Sequence, residues 1–173
     1  FSFQALLVRM FATDEQKRRL GRTEPASYIN FTLGPDGFLY ATSMDHRTGQ
    51  IKKLNSIGKN IYPEKYFGEL SYDENQIPIH PRFTGITVDH NGIVYVVESH
   101  SGRIYQYSGD GVLLTVFGGK GNKKGMFSSP NSIAVDPSGN VYISDFGLNS
   151  IHVFSPTSFI LQIHQALEAF QQG

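Results

Sequence analysis

The chain has 173 residues, 39% of them hydrophobic, with 15 basic and 15 acidic side chains, so no global field directs it to nucleic acid or an anionic membrane. It has no cysteine, which excludes disulfides, thiol nucleophiles and thiolate metal sites. No apolar run approaches the roughly 18 residues of a membrane span. The opening Phe1-Ser-Phe-Gln-Ala-Leu-Leu-Val lacks an initiator Met and the basic start of a leader, so the chain reads as a piece of a longer protein.

Phe3 to Phe11 has the pattern of a strand, and residues 12–27, charged and containing Lys17, Arg18, Arg19 and Arg22, read as a connection into the first clear strand. From residue 28 the chain repeats itself. Gly37-Phe-Leu-Tyr40, Gly92-Ile-Val-Tyr95 and Gly139-Asn-Val-Tyr142 each set a tyrosine three residues after a glycine. Each follows alternating apolar positions: Ile29, Phe31 and Leu33, then Ile86 and Val88, then Ile133 and Val135. The turns Pro35-Asp36-Gly37, Asp89-His90-Asn91-Gly92 and Asp136-Pro137-Ser138-Gly139 combine an Asp that bonds its own turn with a Gly that supplies positive φ. Each is predicted to be a hairpin tip, with Asp36, Asp89 and Asp136 at the same place in the repeat.

A third strand is expected at Ile51–Leu54, Ile104–Tyr107 and Ile151–Phe154, and a fourth at Val112–Phe117 after the turn Ser108-Gly-Asp-Gly111. Four short antiparallel strands per unit, recurring about every 50 residues, make the blade of a β-propeller. Residues 58–82 carry Tyr62, Tyr66, Phe67 and Tyr72 among Pro63, Pro78 and Pro81, too aromatic for a linker; they read as the outer strand of the first blade plus a packed insertion. At the far end Ser155-Pro-Thr-Ser158 offers helix-start chemistry, and Phe159, Ile163, Leu167 and Phe170 share one helical face. A C-terminal helix is therefore expected, with Phe159–Leu161 as a fourth strand the alternative.

The division that follows is residues 1–27 as a preceding strand and connection, 28–82 as a first blade with insertion, 83–129 as a second, 130–158 as a third, and 159–173 as the helix. The fold class is all-β, a partial propeller in a single domain. Since each blade buries its faces against neighbours, three blades leave two open faces. These are expected to be covered by the N-terminal segment, the C-terminal helix or another copy of the chain.

The stretch Phe117-Gly-Gly, Gly125-Met-Phe127, Pro130-Asn-Ser-Ile-Ala-Val-Asp136, Gly139-Asn-Val-Tyr-Ile-Ser-Asp145 and Asn149-Ser-Ile-His-Val-Phe154 resembles the NHL repeat. Residues 83–119 resemble it nearly as well, and 28–57 in outline. Ser150 stands where the family prefers Arg, Glu98 replaces Asp, and Gly102 replaces Asn, which alters the polar support inside the blades. Gln165–Gly173 resembles the opening helix of a tetratricopeptide repeat, which implies a propeller joined to helical repeats, as in bacterial multi-domain proteins, with an extracytoplasmic location.

Among the six histidines none forms an i, i+4 metal pair. Scattered loop histidines are the simpler reading. The sharper one takes His46 and His100, in equivalent strand-two to strand-three loops, to converge with Asp45 and Glu98, since amidating lyases of the NHL type hold zinc with loop histidines. Glu98 and Asp145 read first as braces of their blades and second as catalytic acids. Lys120, Lys123 and Lys124 form a basic stretch, and some NHL propellers bind RNA, but without interleaved aromatics solvated loops are the better reading. Asn30-Phe-Thr32 fits a glycosylation sequon within a predicted strand, and no phosphate loop or nucleophile elbow is present. No catalytic or cofactor-binding residue is assigned. The expected function is a non-catalytic scaffold that binds a protein or carbohydrate ligand through rim residues Asp45, His46, Arg47, His100, Arg103, Phe146 and Asn149, with self-association through open blade faces. The alternatives are a propeller-type hydrolase or lyase holding Ca or Zn at the central channel, and an RNA-binding module.

Overall fold

The computed structural model of the chain describes residues 28–172. The strand expected over Phe3–Phe11 and the charged connection with Lys17, Arg18, Arg19 and Arg22 lie outside the described residues. Strands β1 (Tyr28–Leu33), β2 (Leu39–Ser43) and β3 (Ile51–Leu54) form a first antiparallel sheet in sequential order, and β4 (Ser71–Tyr72) and β5 (Pro78–Ile79) a short ribbon. Next, β6 (Phe83–Val88), β7 (Val94–Glu98), β8 (Arg103–Tyr107) and β9 (Leu113–Gly118) form a complete four-stranded sheet. Finally β10 (Pro130–Val135), β11 (Val141–Asp145) and β12 (Ser150–Phe154) form a third, followed by helix α1 (Ser158–Gln172). The architecture is all-β, a partial NHL-like propeller with one C-terminal helix.

The hairpin tips form for the reason their sequences suggest. Asp89 Oδ1 accepts the Asn91 and Ile93 N–H groups at 2.9 Å, and Asp136 Oδ1 accepts those of Ser138 and Asn140 at 2.9 Å. Gly92 and Gly139 take φ of 78° and 81°, which only glycine adopts without strain. The first copy differs from expectation: Gly34 occupies the position of Asp89, and Asp36 sits two residues later, at the position of Asn91. The tyrosine partnership nonetheless survives the offset. Tyr40, Tyr95 and Tyr142 donate their phenolic O–H to Asp36, Asp89 and Asp136 at 2.9, 3.0 and 3.0 Å. Each tyrosine thereby ties the second strand to the turn before it.

Alternation along β7 decides how the sheets stack. Val94 and Val96 enter one core with Tyr40, Ile51, Ile86, Tyr105 and Tyr107, between the first and second sheets. Tyr95 and Val97 enter another with Ile104, Phe127, Val141 and Ile143, between the second and third. The leading strand of each following sheet makes the junction: β6 packs on β1 and β2, and β10 on β6 and β7. Gly85 permits this approach, since a Cβ there would stand 2.9 Å from the Asn131 carbonyl oxygen.

Three details differ from the sequence expectation. The fourth strand of the second sheet starts at Leu113 rather than Val112, because the Ser108 turn captures Val112, whose N–H donates to Ser108 Oγ at 3.1 Å. The first sheet gains only a bridge between Leu54 and Asn60 in place of an outer strand. Beyond it Tyr62 and Phe67 turn into the core, and the Tyr62 hydroxyl donates to the Ser108 carbonyl at 2.8 Å. After Phe154 the chain forms α1, so Phe159–Leu161 is not a fourth strand. The helix rests Ile160, Ile163, His164 and Leu167 inward and exposes Phe159 and Phe170, so the four aromatic and aliphatic positions expected on one face are split. His164 reaches Gln106 at 3.3 Å, and with Leu167 and Glu168 meets Asn91, Ile93, Ser108 and Gly109 of the second sheet. The helix therefore lies beside the hairpin turns of the second sheet rather than over the outer face of the third.

Tyr95 and Asp89 are buried, whereas Tyr142 and Asp136 face solvent. Removing the hydroxyl leaves an unfilled acceptor only where water cannot reach it. Tyr95→Phe should lower unfolding free energy by about 1–2 kcal/mol and Tyr142→Phe should leave it nearly unchanged, read from urea melts of both variants.

Candidate functional site: the rim of the strand-two to strand-three loops

One rim of the stack gathers the loops that follow β2, β7 and β11 with the connections leading into β6 and β10. Antiparallel order places these segments at the same end of every sheet. Most of the residues singled out from sequence fall here, and the structure separates them into two groups.

Glu98 and Asp145 end β7 and β11 at equivalent positions and are buried. Glu98 accepts N–H groups from Arg82 at 3.0 Å, His100 at 2.8 Å and Ser101 at 2.7 Å, and the Ser101 hydroxyl at 2.5 Å. Asp145 accepts those of Ser128 (2.7 Å), Ser129 (2.8 Å), Gly147 (2.9 Å) and Leu148 (3.1 Å). Each carboxylate thus staples its own loop to the connection that enters the same sheet. Burial alone would raise the pKa of Glu98, but the Ser101 hydroxyl and the three N–H donors outweigh it and hold the group below its ordinary value. Asp145 is lowered in the same way, burial being outweighed by its four backbone donors. An acid held ionised by fixed donors is a poor proton shuttle and a good brace.

Asp45 is also committed to its loop. It accepts the Arg47 N–H at 3.0 Å, the Thr48 N–H at 3.4 Å and the Thr48 hydroxyl, with Lys52 Nζ 3.8 Å away. The Thr48 hydroxyl is the main reason its pKa is lowered. His46 stacks on His80, ring centroids 4.3 Å apart, with Tyr66 tilted 5.9 Å from His80. Burial, then the neighbouring His80, lowers the pKa of His46, and its Nδ1 is buried without a partner among the described residues. Among the described residues no group of three or more His, Asp or Glu is arranged to hold a metal ion. Arg103 pairs with Glu69 of the insertion, so its charge is shared rather than presented alone.

The second group faces solvent. Arg47 and His100 are exposed at the tips of their loops, and Phe146 is 85% exposed. Asn149 holds a left-handed φ of 48°, and its side chain joins Asn131, Ser144, Phe146, Ser150 and Ile151 around a shallow open depression. An exposed ring beside amides and hydroxyls is suited to a ligand with one apolar face and several polar groups. Lys120, Lys123 and Lys124 lie exposed on the connection between β9 and β10.

Sequence reasoning did not place His80, Tyr66, Gln50 or Glu69 at the rim. They come from the insertion and from a loop end, where no repeat position marks them. Nearby, Thr42 Oγ1, Gln50 Nε2, Tyr66 OH and Thr84 Oγ1 are buried and unpaired among the described residues.

Glu98→Gln removes a charged acceptor from four donors and should cost about 1–3 kcal/mol at neutral pH. Because the folded-state pKa lies below the ordinary 4.5, the stabilisation is complete above that pH and is lost as pH falls below it. Urea melts at descending pH should show the gap between wild type and Glu98→Gln closing in acid; a gap independent of pH would refute the charged brace.

Residues 127–154 match the family model for the NHL repeat. No curated protein matches the sequence. Among solved structures, one described as a streptogramin B lyase superposes with a TM-score of 0.50 at 16% identity, covering 79% of this chain and 43% of that one. A protein of unknown function from Bacteroides caccae gives a TM-score of 0.50 at 11% identity, covering 77% and 43%. The likeness is one of fold, and the chain spans less than half the length of either structure.

Proposed function

We propose that this partial NHL-like propeller is a non-catalytic binding module that presents the rim of Arg47, His100, Phe146 and Asn149 to a protein or carbohydrate ligand, in an extracytoplasmic bacterial setting. The observation that carries the reading is the fate of the rim acids. Asp45, Glu98 and Asp145, the groups best placed for acid–base work, are each consumed by donors of their own loops. Beside these acids the rim presents an exposed aromatic ring, an amide, a guanidinium and an imidazole, groups suited to recognising a ligand. The NHL repeat at 127–154 supports an interaction role, while the lyase among similar folds speaks only to architecture.

Metal content separates this reading from a propeller-type hydrolase or lyase. Elemental analysis of protein purified without chelator should find no stoichiometric Zn or Ca. One equivalent of metal that disappears in a His46→Ala, His100→Ala double variant would overturn the non-catalytic reading. For the rim itself, calorimetric titration with neutral hexasaccharides and with a panel of extended peptides should identify a binder whose affinity falls at least tenfold in Phe146→Ala, Asn149→Ala; a binder indifferent to both changes would move the site elsewhere. A gel shift with single-stranded RNA is expected to show no complex, and a complex abolished by replacing Lys120, Lys123 and Lys124 would favour the nucleic-acid alternative.

A further inference from the structure

The structure assigns the outer face of the third sheet to a second copy of this chain, which docks its β1 there head to tail. The repeat register makes positions in the three sheets equivalent. Tyr40, Tyr95 and Tyr142 are equivalent, as are Ile51, Ile104 and Ile151. In the first sheet Tyr40 and Ile51 are buried under the second sheet, and in the second sheet Tyr95 and Ile104 are buried under the third. In the third sheet nothing among the described residues covers this surface. Tyr142 is 37% exposed, Ile151 69% and Val153 57%.

The surface that would cover them also exists on this chain. The positions that seal each junction from the following sheet are Ile86 and Val88 of β6, and Ile133 and Val135 of β10. Their equivalents in the first sheet are Phe31 and Leu33 of β1, which are 68% and 69% exposed. Ala41 and Leu54, further out on the same face, are already buried, so among the described residues the stripe left uncovered is the leading strand. That strand is the one each junction uses, since β6 packs on β1 and β2, and β10 on β6 and β7. Among the described residues, one chain thus exposes both halves of an interface that it builds twice internally, at opposite ends of its stack. A β1 laid on β10 and β11 of another copy continues the stack through the same apolar side chains. Such a contact is heterologous: it joins different surfaces of the two copies. Helix α1 leaves the way open, because it lies against the hairpin turns of the second sheet.

The test uses the 173-residue chain and its lack of cysteine. Wild type should sediment as a dimer or larger at tens of micromolar, and Leu33→Glu and Val153→Glu should each sediment as monomers with unchanged circular dichroism, since both side chains are exposed. Mixing the two variants should restore a dimer, because one copy keeps an intact β1 and the other an intact third sheet. As a second readout that needs no charged substitution, Leu33→Cys mixed with Tyr142→Cys should cross-link through a short bis-maleimide, and neither alone should. A monomeric wild type would overturn the proposal and leave the face to a further blade of a longer polypeptide. Cross-linking of Tyr142→Cys with itself, or a mixture that stays monomeric, would overturn the head-to-tail arrangement.

Discussion

A propeller sheet has two apolar faces, and this requirement organises the molecule. β7 shows it most directly: all five of its residues are buried, with alternate side chains entering different cores. A strand that alternates in this way satisfies neither the pattern of a half-wet sheet nor that of an isolated hairpin. It is stable only between two neighbours. The second sheet has both of them and is complete; among the described residues the third has one, and its outer face carries an exposed tyrosine, isoleucine and valine.

The polar groups serve the same end. In a stack of short strands every reversal leaves backbone donors without partners, and at depth these cannot be left to water. The carboxylates at the hairpin tips and at the ends of β7 and β11 supply the acceptors. Asp89 takes two N–H groups and a tyrosine hydroxyl; Glu98 and Asp145 each take four donors. Acids used in this way are spent on architecture, which is why a chain with several buried carboxylates need not contain an active site.

The insertion solves a local difficulty. The first sheet lacks a full outer strand, so its junction with the second would be thin at the periphery. Tyr62 and Phe67 fill that wedge, stacking 5.6 Å apart, with Phe67 edge-on to Tyr107 at 5.2 Å. Their backbone is secured across the junction, Phe67 N–H to Gln50 at 3.1 Å and Gly68 N–H to the Tyr107 hydroxyl at 3.0 Å. The same packing carries Tyr66 and His80 to the rim, where His80 becomes the neighbour of His46.

Periodicity and turn chemistry made the blades legible from the sequence alone. Glycine followed three residues later by tyrosine, Asp at the reversal and alternation on either side are local signals, and the strands they mark are where they were expected to within a residue. The bracing role of Glu98 and Asp145 was legible for the same reason, since equivalence between copies identified them as parts of a unit. What lay beyond the sequence was non-repetitive or non-local. The two-residue offset of Asp36 shows only when the Tyr40 hydroxyl finds it. The pairing of His46 with His80 spans an insertion whose path no repeat dictates, and the choice between strand and helix after Phe154 was settled by where α1 can bury Ile163 and Leu167. Which of three equivalent faces stays bare is likewise a property of the assembled stack, because burial depends on a neighbour that the residues of a single blade do not encode.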